Sequence, residues 1–260
     1  MNGLPLAGRA AIVTGAANGI GACIVQRLRR DGANVAIVDM VEPDLDNFVD
    51  DAAHGELIAV RADVSQASAV EAALATILDR FGRIEIFVAN AGGAGRIPAA
   101  QIEDLSDDAW YDVLDTNLTS IIRFCRRLVP GMREARHGRI IAISSGARHG
   151  IAYPMPPTIH APAAYATAKS AMDGLVRQLA KDLGPSGITA NAVSPGFIQT
   201  KGNSLVTQTM LTRPEIVDQI IASIPVGRAG RGEDIAAMVA FLASDDAGFV
   251  SGETIEVRGG

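Results

Sequence analysis

Seven short stretches of this chain, AAIVTG, NVAIVD, ELIAV, IEIFVAN, RIIAISS, ITANAVS and TIEV, are apolar almost from end to end. A strand with one wet face alternates apolar and polar residues, so unbroken apolar runs mark strands buried on both faces, as in a parallel sheet covered by helices. Segments with helical apolar spacing lie between them, at about 19–31, 66–81, 106–135, 162–184 and 232–243, with a weaker one at 44–53. Seven strands and six helices predict an α/β, doubly wound Rossmann-like domain on a seven-stranded parallel sheet. Its 260 residues contain no repeat, charge block or low-complexity linker, so 1–260 reads as one domain. Ser106, Asp107 and Asp108 suit the start of the longest helix, and Pro130-Gly131 is expected to kink it or end it early. Two stretches, about 146–164 and 197–225, break the rhythm beyond strand ends, where ligands of such sheets sit, and both are expected to be substrate loops.

A net charge of −6, spread along the chain, offers no footprint for nucleic acid. No apolar run reaches the ~18–20 residues of a membrane span, and the opening MNGLPLAGRA does not read as a secretory leader. Cys23 and Cys125 are 102 residues apart and form neither a disulfide framework nor a zinc motif, so a cytoplasmic location is expected.

The first strand runs into AANGIGACIVQRL, placing Gly15, Gly19 and Gly21 at a strand-to-helix turn. Glycines there let the backbone turn tightly and approach a pyrophosphate, which the helix N-terminus attracts. No Gly-Lys dipeptide follows, so the turn is not a P-loop. The second strand ends in Asp39, 18 residues beyond Gly21, near the offset at which a carboxylate accepts hydrogen bonds from the adenosine ribose and repels a 2′-phosphate. With Asn18 in the turn and Met40 after the acid, rather than cations, the expected cofactor is NAD and not NADP. Capping of the next loop is the plainer role for Asp39.

Tyr165 and Lys169 stand four apart at the start of a predicted helix and so share a face. A nearby ammonium stabilises a phenolate, and bringing a phenol from about 10 towards neutrality takes roughly 3–4 kcal/mol.

With TGAANGIG at 14–21, NAG at 90–92, YATAK at 165–169, PG at 195–196 and the ending SDDAGFVSGETIEVRGG, the chain resembles the short-chain dehydrogenase/reductase family in its classical form over nearly its whole length. The resemblance implies the sheet order 3-2-1-4-5-6-7, a homotetramer, and hydride transfer between a nicotinamide and a carbonyl or secondary alcohol. It assigns catalysis to Ser145, Tyr165 and Lys169, with Asn117 holding a water that links Lys169 to solvent; capping or distorting the helix is the plainer role for Asn117. Strand alternation turns Ser144 away. On the cofactor it places Gly15, Asn18, Gly19, Ile20 and Gly21 at the turn, with Asp39 at the ribose and Asp63 and Val64 at the adenine. It adds Asn90, Gly92, Pro195, Gly196, Ile198 and Thr200, with Tyr165 and Lys169 at the nicotinamide ribose. A 3-oxoacyl-(acyl-carrier-protein) reductase-like enzyme is the alternative, and a non-catalytic dinucleotide sensor a remote one.

Ser145 and Tyr165 are 20 residues apart, against the family's usual dozen. The surplus is Pro-rich and reads as a loop over the substrate, with Tyr153, Met155, Ile159 and His160 as lining and Arg148 as an anchor for an anionic group. His149 and His160 lack further ligands at metal spacing, so no metal is expected. No glycines bracket the serines as G-x-S-x-G, which disfavours a serine hydrolase.

Overall fold

The computed structural model describes residues 3–48, 55–97, 101–150, 162–200, 212 and 214–260. The chain begins with strand β1 (Ala10–Thr14), helix α1 (Gly19–Arg30), β2 (Asn34–Asp39), β3 (Leu57–Arg61), α2 (Ala67–Phe81) and β4 (Ile86–Ala89). Helices α3 (Asp107–Leu114) and α4 (Ser120–Ala135), β5 (Gly138–Ile143), α5 (Pro162–Leu183) and β6 (Ile188–Pro195) follow. Last come β7 (Ile198–Gln199), α6 (Pro214–Ser223), β8 (Gly230–Arg231), α7 (Gly232–Ala243) and β9 (Thr254–Val257). Seven strands form one parallel sheet in the order β3-β2-β1-β4-β5-β6-β9.

Every residue of β1, β4, β5 and β6 is buried, because helices cover both faces. Alternation divides the strand side chains between two cores: Ile12 and Phe87 join Leu74, Phe124 and Met172 of α2, α4 and α5. Ala11, Val13, Ile86 and Val88 face Ile24 and Leu28 of α1 with Ile235 and Val239 of α7. The Phe87 and Phe124 rings stack at 4.9 Å, fastening β4 to α4.

The expected strand order holds, with TIEV at the seventh place, but two short strands intervene in the chain: β7 and β8 pair only with each other. The segment read as one helix over 106–135 is two. A five-residue π turn, Asp115–Thr119, separates α3 from α4, because Asn117 donates its side-chain amide to Val113 O (2.9 Å) and Gly93 O (2.8 Å) and draws the backbone out of register. Pro130 does not end the helix. It forfeits one backbone donor, while Leu128 and Met132, buried on either side, hold α4 together to Ala135. The 197–225 stretch is not all loop, since it contains β7 and α6. Of the weak helix at 44–53 only a 3₁₀ turn, Leu45–Phe48, is seen, the remainder lying outside the described residues. Among the described residues no helix is long and apolar enough to cross a membrane.

Candidate active site

The turn after β1 is built so that only glycine fits. Gly15 has φ +62°, and a β-carbon on it would lie 2.6 Å from the Ala91 Cα. One on Gly21 would meet Gly15 O at 2.5 Å and Asn90 Nδ2 at 2.6 Å. Thr14 Oγ1 accepts the N–H groups of Asn90 (3.1 Å) and Ala91 (3.0 Å), and Asn90 Nδ2 donates to Thr14 O (3.0 Å) and Gly15 O (2.7 Å). Asn90 thus holds the turn itself. Gly15→Ala is expected to destabilise the fold by about 2–4 kcal/mol, from left-handed strain plus overpacking, read as a lower urea midpoint at unchanged slope.

Helix α1 starts at Gly19 with Asn18 as its cap, and the Asn18 side chain makes no capping bond, leaving the helix N-terminus to an anion. Thr200 Oγ1 lies 3.9 Å from where a Gly19 β-carbon would stand, so Thr200 closes over the same turn. Asp39, at the end of β2, accepts the Ala17 N–H (2.9 Å) on one oxygen and the Val41 N–H (3.0 Å) on the other. It caps its loop as the plainer reading expects, and it is also tied to the glycine turn. Ile20 packs against the α1/α7 core and Ile198 is buried in it, so their side chains serve packing. Pro195 ends β6, and a β-carbon at Gly196 would strike Arg258 Cβ at 2.5 Å.

Between these elements opens a cavity of about 340 Å³ lined by Gly15, Asn18, Asp39, Asp63, Val64 and Gly92 among others. It opens at the strand C-termini, where ligands of doubly wound sheets bind. Arg96, Asp112 and Thr116 line it too, and sequence reasoning missed all three. They lie in the loop after β4 and on the helix beyond, where no motif points.

Beyond Gly92, which lines that cavity, stand the four residues that the family resemblance marks for catalysis. Asn117 (1% exposed) and Lys169 (3%) are buried together behind Gly92, where a β-carbon would be 2.4 Å from Asn117 Oδ1 and 3.1 Å from Lys169 Nζ. A side chain at 92 would therefore separate the two. Ser145 follows β5 in extended conformation, its Oγ accepting the Ala147 N–H at 3.2 Å and lying near enough to the Tyr165 hydroxyl to favour its ionised form. Ser144 Oγ points the other way, donating to Lys169 O at 3.1 Å. The structure thus unites Ser145, Tyr165, Lys169 and Asn117 from β5, α5 and the α3/α4 junction.

Electrostatics correct one expectation. The Tyr165 hydroxyl is not lowered but raised above its usual value near 10, because burial penalises the phenolate more than the Ser145 hydrogen bond favours it. Burial also brings Lys169 down to about 7, its Nζ donating to Ile143 O at 2.8 Å and lying 5.6 Å from the phenol ring centre. The proton therefore rests on the phenol, beside an amine that titrates near neutrality.

Arg148 is not available to an anionic group. Its guanidinium pairs with Asp173 of α5 and, at 2.6 Å, with Glu256 of β9, which also takes His149 at 2.8 Å and Arg258 at 2.7 Å. Tyr153, Met155, Ile159 and His160 lie outside the described residues, as do 201–211 of the second loop. Among the described residues no group of three or more His, Cys, Asp or Glu could hold a metal.

Comparison with known proteins agrees with this geometry. Residues 15–260 match a family model described as enoyl-(acyl carrier protein) reductase. The chain is 39% identical to short-chain reductase protein NovJ of Streptomyces niveus over 96% of its own length and 92% of that protein's. It is 34% identical to cyclohexanol dehydrogenase of Rhodococcus sp. (strain TK6), covering 99% and 97%. It is 35% identical to 3-oxoacyl-[acyl-carrier-protein] reductase FabG of Escherichia coli (strain K12), covering 97% of each. Among solved structures, 7α-hydroxysteroid dehydrogenase complexed with NADH and 7-oxo glycochenodeoxycholic acid superimposes with a TM-score of 0.84, at 30% identity over 99% and 96% of the chains. A Beutenbergia cavernae protein assigned as an NAD(P)-dependent gluconate 5-dehydrogenase, with NADP bound at low occupancy, gives 0.82, at 33% identity over 100% and 98%. With the sheet order, the glycine turn and the Ser-Tyr-Lys-Asn cluster in hand, the chain belongs to the classical short-chain dehydrogenase/reductase family of oxidoreductases.

Proposed function

We propose that this protein interconverts a secondary alcohol and its ketone with NAD(H) as the hydride carrier. One observation carries the reading: the Ser145 hydroxyl lies beside that of Tyr165, next to the place where Gly92 lets Lys169 and Asn117 meet. When bound there, the nicotinamide accepts or supplies the hydride. Ser145 and Tyr165 hold the substrate oxygen between two hydroxyls and polarise it. In reduction Tyr165 gives its proton to that oxygen, and in oxidation it takes one away. Lys169, poised at about 7, returns the proton, and one water joining Nζ to Asn117 Oδ1 would carry it onward. Because both Asn117 amide hydrogens are spent on Gly93 O and Val113 O, the water meets an acceptor.

The preference for NAD over NADP rests on charge. Asp39, Asp63 and Asp112 line the cavity against a single arginine, Arg96, so a 2′-phosphate would enter a net negative site. Related structures carry either dinucleotide, which makes the test direct. Asp39→Asn keeps an acceptor for the Ala17 or Val41 N–H and removes the charge. It is expected to lower the NAD/NADP ratio of kcat/KM by about tenfold, the effect of one repulsion near 1.4 kcal/mol. An unchanged ratio, or a wild type that favours NADP, would refute the assignment.

Likeness to the FabG proteins supports a second reading, a reductase of 3-oxoacyl thioesters. Turnover of a 3-oxoacyl thioester above that of cyclic or steroidal ketones would favour it. A homotetramer fits the exposure of Tyr111, Ile102 and Phe249, and light scattering measures the assembly directly.

A further inference from the structure

The crevice has a clasp that this reading does not use. Arg96 stands four residues beyond Gly92, where its backbone N–H and its Nε each donate to the Asp112 carboxylate of α3 at 2.8 Å. From there its Nη1 reaches Asp63 Oδ2, beyond β3, at 3.0 Å. The guanidinium therefore spans the crevice from α3 to the end of β3, and among the described lining residues it is the only cation. With the side chain 52% exposed, these pairs add little to fold stability, so their consequence is local.

That consequence falls on Asp63. Its Oδ1 accepts the Ser65 N–H at 2.9 Å and its Oδ2 takes Arg96, so both oxygens are held while each keeps a lone pair for a further donor. Partial burial works against ionisation here, yet Ser65 and Arg96 together keep the carboxyl below its usual range. Lys169 and Asn117 mark the reactive end of the cavity behind Gly92, and β3 lies two strands beyond β1 on the opposite side. An oriented, acceptor-only group at that end suits a base that presents an exocyclic amine.

We propose that Arg96 is a positioning residue for the base of the dinucleotide, clasping Asp63 so that the crevice takes a purine with an amino group at C6 and rejects one with a carbonyl there. The inference rests on the dinucleotide reading above. Calorimetric titration of the wild-type protein, Arg96→Ala, Arg96→Lys and Asp63→Asn with NAD and with nicotinamide hypoxanthine dinucleotide tests it without turnover. The wild type should bind NAD about tenfold tighter than the hypoxanthine analogue, the value of one well-made hydrogen bond against one repulsion. Arg96→Ala should lose most of that ratio by weakening NAD alone, Arg96→Lys should recover part of it, and Asp63→Asn should abolish it. Were Arg96 only a scaffold for its loop, Arg96→Ala would weaken both ligands equally and leave the ratio intact, which would overturn the proposal. Wild-type protein that bound neither dinucleotide would overturn the dinucleotide reading along with it.

Discussion

Tyr165→Phe is expected to lower kcat by about 10³-fold or more while NAD binds as before, because the change removes one hydroxyl and nothing else from a partly buried ring. The hydroxyl is the group that lies beside Ser145 and can exchange a proton with the substrate oxygen. Without it a developing alkoxide must form beside Ser145 alone. Burial raises the phenol, so the two directions should respond differently to pH. Ketone reduction uses the protonated form and should stay level through neutrality, falling only in the alkaline range. Alcohol oxidation uses the phenolate and should climb with pH over the same interval. Steady-state profiles of kcat/KM in both directions check the sign. A Tyr165→Phe protein with a tenth of normal turnover, or with an unchanged alkaline limb, would exclude Tyr165 as the acid/base.

Lys169→Met should inactivate the enzyme, by about 10²–10⁴-fold in kcat, and at the same time make it more stable. Lys169 is 3% exposed and its ammonium is brought from 10.5 down to about 7. In the unfolded chain the amine binds its proton up to pH 10.5, so the folded state is penalised below that point. The penalty grows as pH falls from 10.5 to 7 and is complete below 7, on the order of 5 kcal/mol at about 1.4 kcal/mol per unit. Methionine fills the same space without a charge, but it leaves the Ile143 carbonyl without its lysine donor, which offsets part of the gain. A net increase of about 2 kcal/mol, or roughly 4–8 °C in Tm for a chain of this size, is the expected result at pH 7. The increase should shrink as pH approaches 10. Calorimetry at pH 7 and pH 9.5 measures it, and a Tm that fell at pH 7 would contradict a costly buried lysine.

Each of these effects lies on a residue that sequence spacing had already singled out, but its sign does not follow from spacing. Four residues between Tyr165 and Lys169 say that the side chains share a helix face. They do not say that the helix face is buried, and burial raised the phenol where proximity to an ammonium alone would have lowered it. Arg148 shows the same division. Beside Ser145 it suggested an anion anchor, yet Asp173 and Glu256, 25 and 108 residues further on, neutralise it.

Local rules of the chain determined the strands, the glycine turn and most of the helices. Apolar runs, φ > 0 and hydrogen bonds within four residues are properties of neighbours in sequence. At Asn117 the sequence left a helix-distorting role open without deciding it, because the carbonyl that helps draw its side chain out of the helical register belongs to Gly93, on another loop. Tertiary structure alone decided that Gly92 unites Asn117 with Lys169, that Asn90 serves the turn, and that Arg96 reaches Asp63. Desolvation and contact between distant segments set those roles, and both come into being only once the sheet has assembled and shut out water.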